Sequence, residues 1–290
     1  MAKVFVKIPK TGLGNMLMVW AHALVFARMN GLEIVCSSWW GFRWGALVRG
    51  EKRRRLYRNY FKETDFVKRN LYQVKLLLGE VIKDPAIYQL SKEEKESGKI
   101  FLFQKTIRES DLFKLLRDHQ ALIREELYQL LNSNIRQELS KYEAPVIGVH
   151  IRRGDFKIGN QATPLSYFIN TINLVRKNAM KDLPVTVFSD AHISELTDIL
   201  GLPQVKMAED KADILDILIM SKSRILILSK DSTFSYWAAF LSDALVIMKH
   251  DDWQSAIRQP GENYREIKWN DNQVESQRKV EKLISSFRFY

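Results

Sequence analysis

The chain has 290 residues and a single cysteine, Cys36, so no disulfide can close within it and a reducing compartment suits it. It lacks low-complexity segments and repeats at solenoid periods. It also lacks a long apolar run: the longest apolar-rich stretch, 16–29, is broken by His22 and Arg28 and falls short of the about 20 residues a bilayer span takes. The first eight residues hold no apolar signal core and no small-residue cleavage site. The expectation is a soluble, cytoplasmic protein. Familiar chemical signatures are missing too. The five histidines are scattered, with no His-x-His, no cysteine pair and no Asp-x-Asp, which argues against a metal site. Neither a Gly-x-Ser-x-Gly elbow nor a phosphate loop ending in Gly-Lys-Ser/Thr occurs, which argues against a hydrolase of that kind and a nucleotide triphosphatase.

What the chain has is positive charge. Lys and Arg number 45 against 34 Asp and Glu, a net +11. Such an excess attracts nucleic acid, anionic lipid or phosphorylated small molecules. Part of it lies in the tract Arg49–Arg58, interleaved with Leu56 and Tyr57. That tract reads equally as a contact with an anionic membrane surface, peripheral and from the inner face, or as a solvated basic helix. Trp39, Trp40 and Trp44 read as core or as stacking platforms for sugar rings.

Length suggests two domains at roughly 150 residues each. In the first, alternation over Val4–Ile8 predicts a strand, Pro9–Gly14 a loop, Asn15–Asn30 a buried helix closed by Gly31, and Leu32–Cys36 a second strand. Residues 40–110 are hard to parse. Leucines at helical spacing over Asp111–Lys141 predict one long helix or two shorter ones. The boundary is expected near 140–145, dividing the chain into 1–143 and 144–290. Beyond it, strands at Val146–Ile151, Pro184–Phe188, Arg224–Leu228 and Ala244–Met248 alternate with helices. Those helices are expected from Thr163 (N-cap, with Pro164 at N1) to about Asn178, and over Ile193–Leu200, Asp210–Ser221 and Ser232–Ser242. This alternation predicts a parallel, doubly wound α/β sheet.

Ligands of such sheets bind beyond the carboxyl ends of the strands. Three polar groups lie there: His150-Ile-Arg-Arg-Gly-Asp155, Ser189-Asp190, and Ser229-Lys-Asp-Ser-Thr-Phe-Ser235. The last opens a helix, whose N–H groups and hydroxyls suit a phosphate. Arg152 and Arg153 can add charge-assisted, bidentate bonds to it. Together they suggest a diphosphate site, with Asp190 accepting hydrogen bonds from a base or a ribose. Gly12-Leu-Gly14-Asn15 allows close backbone approach to a ligand, though it is not the full dinucleotide fingerprint.

His150-Ile-Arg-Arg-Gly-Asp-Phe156 resembles the signature of the inverting α-1,2-fucosyltransferase family. Thr11-Gly-Leu-Gly-Asn15 is similar to that family's N-terminal Gly-Gly-Leu-Gly-Asn element. Asp216-Ile-Leu-Ile-Met-Ser221 followed by Ser232-Thr-Phe-Ser-Tyr-Trp resembles its C-terminal block, with Pro164–Tyr167 and Phe188-Ser-Asp190 between. Thr11 and Met16 depart from the family's Gly and Gln, and residues 37–145 match nothing.

The resemblance implies a GT-B fold of two Rossmann-like domains facing across a cleft, acceptor side first and GDP-sugar side second. It implies GDP-fucose as donor, no metal or other cofactor, and transfer of L-fucose to a glycan hydroxyl such as the 2-OH of galactose. It implies Arg152 as the group stabilising the leaving β-phosphate, with Arg153 supporting the phosphates or holding the loop. His150 and Asp155 would orient the arginines or contact the donor. Asp190 and Asp216 would hold the guanosine or its loop, and Gly12, Gly14, Asn15, Ser189, Ser232, Thr233, Phe234 and Ser235 would line the donor site. For the base that takes the acceptor proton, Asp155, Glu33 and Asp65 stand open, as does a loose transition state that needs none. The implied acceptor is an oligosaccharide or lipid-linked glycan. Competing readings are another nucleotide sugar or another fucosyl linkage, a GDP-sugar binder without turnover, and a basic nucleic-acid-binding protein. The last lacks any recognisable nucleic-acid motif.

Overall fold

The computed structural model describes residues 1–41, 56–106, 111–154, 162–249, 255–269 and 274–286. Most of the Arg49–Arg58 tract, Trp44 and Asp155 lie outside the described residues. The described residues through Glu138 form one unit and those from Leu139 onward a second.

In the first unit, strands β1 (Lys3–Val6), β2 (Ile34–Cys36), β3 (Val81–Lys83) and β4 (Ile100–Phe103) make a parallel sheet in the order β2-β1-β4-β3. Helix α1 (Leu13–Asn30) starts two residues before the expected Asn15 and is buried on almost every face. Its end is set by Gly31, whose left-handed φ of 66° turns the backbone so that its N–H reaches the carbonyls of Ala27 and Arg28. Helix α2 (Phe66–Leu78) lays Tyr72 and Leu76 on the sheet against Phe5, Val35, Ile100 and Leu102. Helix α3 (Lys92–Glu96) is short and closed by a capping box from Ser91 and Glu94. The leucine-rich stretch from 111 is broken into pieces: a 3-10 turn at Arg117–His119, α4 (Gln120–Leu130) and α5 (Ser133–Leu139). The break falls at Leu131, which turns extended and bridges to Phe61.

The second unit alternates strands and helices, except that its last two strands follow one another among the described residues. It contains β5 (Ile147–Ile151), α6 (Leu165–Ala179), β6 (Val185–Ser189), α7 (Thr197–Leu200), β7 (Val205–Met207), α8 (Asp213–Met220), β8 (Ile225–Leu228), α9 (Thr233–Leu241), β9 (Leu245–Lys249), β10 (Arg265–Trp269) and α10 (Val274–Ser286). All six strands are parallel, in the order β10-β9-β8-β5-β6-β7. This is the doubly wound order in which the chain runs outward in one direction, returns to the centre and runs outward in the other. The reversal lies between β5 and β8, whose residues are all buried, as central parallel strands should be.

Local corrections have simple causes. Pro164 is the N-cap of α6 rather than its first helical residue, and the Thr163 hydroxyl accepts the Lys230 N–H at 3.0 Å instead of capping the helix. Ile193–Leu200 is a 3-10 turn followed by one turn of α-helix, and α8 begins three residues later than expected. Among the described residues, no helix is long and apolar enough to cross a membrane.

Candidate functional site

Strand β5 pairs with β8 for three residues, ending at Val149 and Ile227, but with β6 for five, ending at Ile151 and Ser189. The sheet therefore opens between β5 and β8, the topological switch point where doubly wound sheets take their ligands. Serine hydroxyls take up backbone groups on both sides of it. The Ser229 hydroxyl donates to the His150 carbonyl and accepts the Arg152 N–H, both at 2.8 Å. On the other side the Ser189 hydroxyl donates to the Ile151 carbonyl at 2.6 Å and accepts the Ala191 N–H at 3.0 Å.

Asp190 follows β6 and organises the arginine segment. Its Oδ2 lies 2.5 Å from Arg152 Nη1, and its Oδ1 accepts the Arg153 N–H at 2.7 Å. Both side chains of the pair are mostly covered. A Cβ at Gly154 would lie 2.6 Å from Asp190 Oδ2, so a side chain there would push the carboxylate aside. Below this segment His150 is buried, its Nδ1 2.5 Å from Ser235 Oγ and its ring stacked on Phe234 at 5.1 Å. Burial pushes the imidazole down to about 3; Asp190 opposes that shift and Arg152 adds to it. His150 is thus a neutral hydrogen-bonding post.

Helix α9 starts at the same edge. Ser232 caps it, accepting the Ser235 N–H, so Ser232, Thr233 and Phe234 sit where the helix presents its N-terminal N–H groups. The preceding turn is tightened by Asp231, at a left-handed φ of 54°, whose N–H donates to Tyr236 Oη.

Asp216 is held by a lysine of the preceding loop. It is buried in the first turn of α8, 3.3 Å from Lys211 Nζ. That ammonium also donates to the Glu209 carbonyl and lies over the rings of Tyr142 (5.0 Å) and Phe188 (5.5 Å). Lys211 and Tyr142 carry no sequence signal, because the cluster joins three separated segments.

Arg152, Arg153, His150, Ser189, Asp190, Ser232, Thr233, Phe234 and Ser235 therefore gather at adjoining strand ends of one sheet. Gly12, Gly14 and Asn15 belong to the first unit, at the start of α1, where Gly12 is the N-cap and the Leu13 N–H donates to Tyr57 Oη at 3.1 Å. Of the carboxylates weighed as bases, Glu33 pairs with Lys68 and accepts from Tyr72 Oη at 3.1 Å. The Lys68 and Tyr72 hydrogen bonds hold it below the usual carboxylate range despite partial burial. Asp65 caps α2 through the Lys68 N–H. Among the described residues, no cluster of three or more His, Cys, Asp or Glu is placed to hold a metal ion.

A family model described as Glycosyl transferase family 11 matches residues 99–272. No curated protein sequence matches the chain. Among solved structures, POFUT1 in complex with GDP is similar at 12% identity, covering 83% of this chain and 95% of that one, with a TM-score of 0.50. The fucosyltransferase NodZ from Bradyrhizobium is similar at 14% identity, with 83% and 94% covered and a TM-score of 0.48. A mutant of Arabidopsis thaliana FUT1 in complex with GDP is similar at 13%, with 88% and 72% covered and a TM-score of 0.49. At these identities the likeness bears on fold alone, and the POFUT1 match carries it. Two parallel-sheet, Rossmann-like α/β units place the chain in the GT-B class expected from sequence.

Proposed function

The chain belongs to glycosyl transferase family 11, and from that premise we propose that it moves L-fucose from GDP-fucose to a glycan hydroxyl, with inversion and without a metal ion. Residues 144–290 form the donor side in this reading and residues 1–143 the acceptor side. The observation that carries it is the pair Arg152–Arg153 at the switch point, beside the N-terminus of α9. A diphosphate leaving group develops charge as the sugar–phosphate bond breaks, and fixed donors aimed at that charge lower the barrier. Arg152 is the group for the β-phosphate oxygen, with Arg153 and the Ser232–Phe234 N–H groups as further phosphate donors. The likeness to POFUT1, solved in complex with GDP, favours guanosine over other nucleotides.

The reaction is an in-line displacement. The bond from the anomeric carbon to the phosphate oxygen breaks, the acceptor oxygen bonds to that carbon from the opposite face, and the hydroxyl proton passes to a base. Asp155 is the carboxylate nearest the arginines in sequence. The acceptor is a galactose-bearing oligosaccharide or lipid-linked glycan, taken at the 2-OH.

Thermal unfolding with GDP, GDP-fucose, GDP-mannose, UDP and UDP-galactose, each with EDTA and with magnesium, tests the donor. A ligand at a hundred times its Kd adds about 2.7 kcal/mol. GDP and GDP-fucose should raise the Tm selectively, in EDTA as well, and the rise should vanish in Arg152→Ala. A rise with UDP compounds only, or with none, defeats the assignment. If the donor binds, a screen of galactosides reads the acceptor.

A further inference from the structure

The loop from β8 to α9 already uses its own amides. Ser229 turns its hydroxyl to the end of β5. The Lys230 N–H donates to Thr163 Oγ1 at 3.0 Å, and the Asp231 N–H to Tyr236 Oη at 2.9 Å. A loop that cradles phosphate does so through successive backbone N–H groups. Here two of those groups are taken, so what the loop adds to an anion, beyond the first amides of α9, must come from a side chain. Lys230 is the one cation of the segment Ser229–Ser232.

The charge balance of the crevice also turns on Lys230. In the first three residues after β5, β6 and β8, the side chains charged at pH 7 are Arg152 and Arg153, Asp190, and Lys230 and Asp231. Without Lys230 the two arginines and the two carboxylates cancel. A cleft gathers anions through an excess of positive charge, and Lys230 supplies that excess. Its own restraint is slight. Nζ lies 3.8 Å from Asp231 Oδ2, and the two side chains are 39% and 31% exposed, against 17% and 28% for Arg152 and Asp190 at 2.5 Å. A partly exposed pair at the longer distance is weak. A phosphate therefore takes the ammonium from Asp231 more readily than the guanidinium from Asp190. The backbone supplies the proximity. Ser229, one residue earlier, meets the Arg152 N–H at 2.8 Å, and a flexible four-carbon stem carries the charge onward.

We propose that Lys230 is a third cation of the donor site, binding the diphosphate together with Arg152 and Arg153. The assignment rests on the GDP-sugar reading of this site and adds a residue that neither the arginine motif nor the helix cap marks. Arg152 supplies directed, planar hydrogen bonds, and Lys230 a compact charge on a mobile stem that settles wherever the phosphate oxygens lie.

Titration calorimetry of the full chain with GDP tests this at about 0.1 M and about 1 M salt, between which the Debye length falls from about 10 Å to about 3 Å. Lys230→Gln should weaken GDP by at least about tenfold at the lower salt and by less than about threefold at the higher. Lys230→Arg keeps the charge and should stay within about threefold of the parent at both. Equal affinity of Lys230→Gln and the parent at the lower salt overturns the proposal. So does a loss of the same size at both salts, or one that Lys230→Arg shares, because the residue would then act through the shape of the loop. A parent that binds no GDP defeats the donor reading itself, and the role of Lys230 falls with it; a parent that binds GDP leaves Lys230 to be judged alone.

Discussion

The guanidinium of Arg152 is already held by a carboxylate, that of Asp190, at 2.5 Å. A diphosphate that takes Arg152 must compete with that carboxylate. Asp190 meanwhile steadies the backbone of Arg153 through its other oxygen. One residue thus both restrains the cation and shapes the loop that presents it.

The two tasks separate by substitution. Asp190→Asn keeps an oxygen for the Arg153 N–H but removes the competing charge, so GDP should bind about fivefold tighter, as an ion pair of about 1 kcal/mol implies. Asp190→Ala removes both, and GDP should bind about tenfold more weakly. Titration calorimetry reads each. If both variants weaken GDP equally, Asp190 touches the nucleotide instead.

Two glycines of the same segment should fail in different ways. In Gly148→Ala the new methyl lies 2.4 Å from Ser223 Oγ and 3.1 Å from Leu226 Cδ2, within a central strand. It should cost about 1–3 kcal/mol of stability by urea unfolding, leaving GDP affinity of the folded protein intact. In Gly154→Ala the methyl displaces the Asp190 carboxylate. That should cost less than about 1 kcal/mol of stability, because the atom displaced is the end of a side chain rather than backbone, but about tenfold in GDP affinity. Equal losses of affinity in the two would refute the distinction.

His150 makes stability depend on pH in a defined window. Its folded value, about 3, lies below the ordinary imidazole value of 6.5. Between these limits the unfolded chain binds a proton that the folded chain refuses. Stability conferred by the neutral ring is complete above about 6.5 and falls as pH drops toward 3, with a slope approaching about 1.4 kcal/mol per pH unit. Urea midpoints measured from pH 7.5 to 4.5 should show this slope, and His150→Asn should flatten it. A parent curve as flat as the variant's would show that the imidazole titrates normally.

Cys36 should be inert in the folded state. Burial, aided by the Glu63 charge, pushes its thiol to about 12. A disulfide reagent at pH 8 should react only as fast as the chain unfolds. Instantaneous labelling would place the thiol at the surface.

The central architecture was readable because its signals are contiguous. β5 is an unbroken apolar run ending in His150-Ile-Arg-Arg, and α9 opens with its own cap at Ser232. β7, with three residues, and β10, with Arg265, Glu266 and Lys268 on the sheet edge, lack the apolar density that marks a strand. α2 was obscured for another reason: with apolar residues on two faces, its periodicity does not say which face packs. The links from Ser229 to His150 and from Lys211 to Tyr142 join residues far apart in the chain, and such pairs have no local pattern to read.

The hydroxyl of Ser229 has a kinetic consequence. Because it takes up the His150 carbonyl and the Arg152 N–H where β8 departs, the end of β5 is held by the protein's own hydrogen bonds. A nucleotide entering there finds its floor ready. Association should follow the rate of encounter, accelerated by the basic charge. The heat capacity change on binding should then reflect only the surface the ligand covers, with no added contribution from chain folding around it.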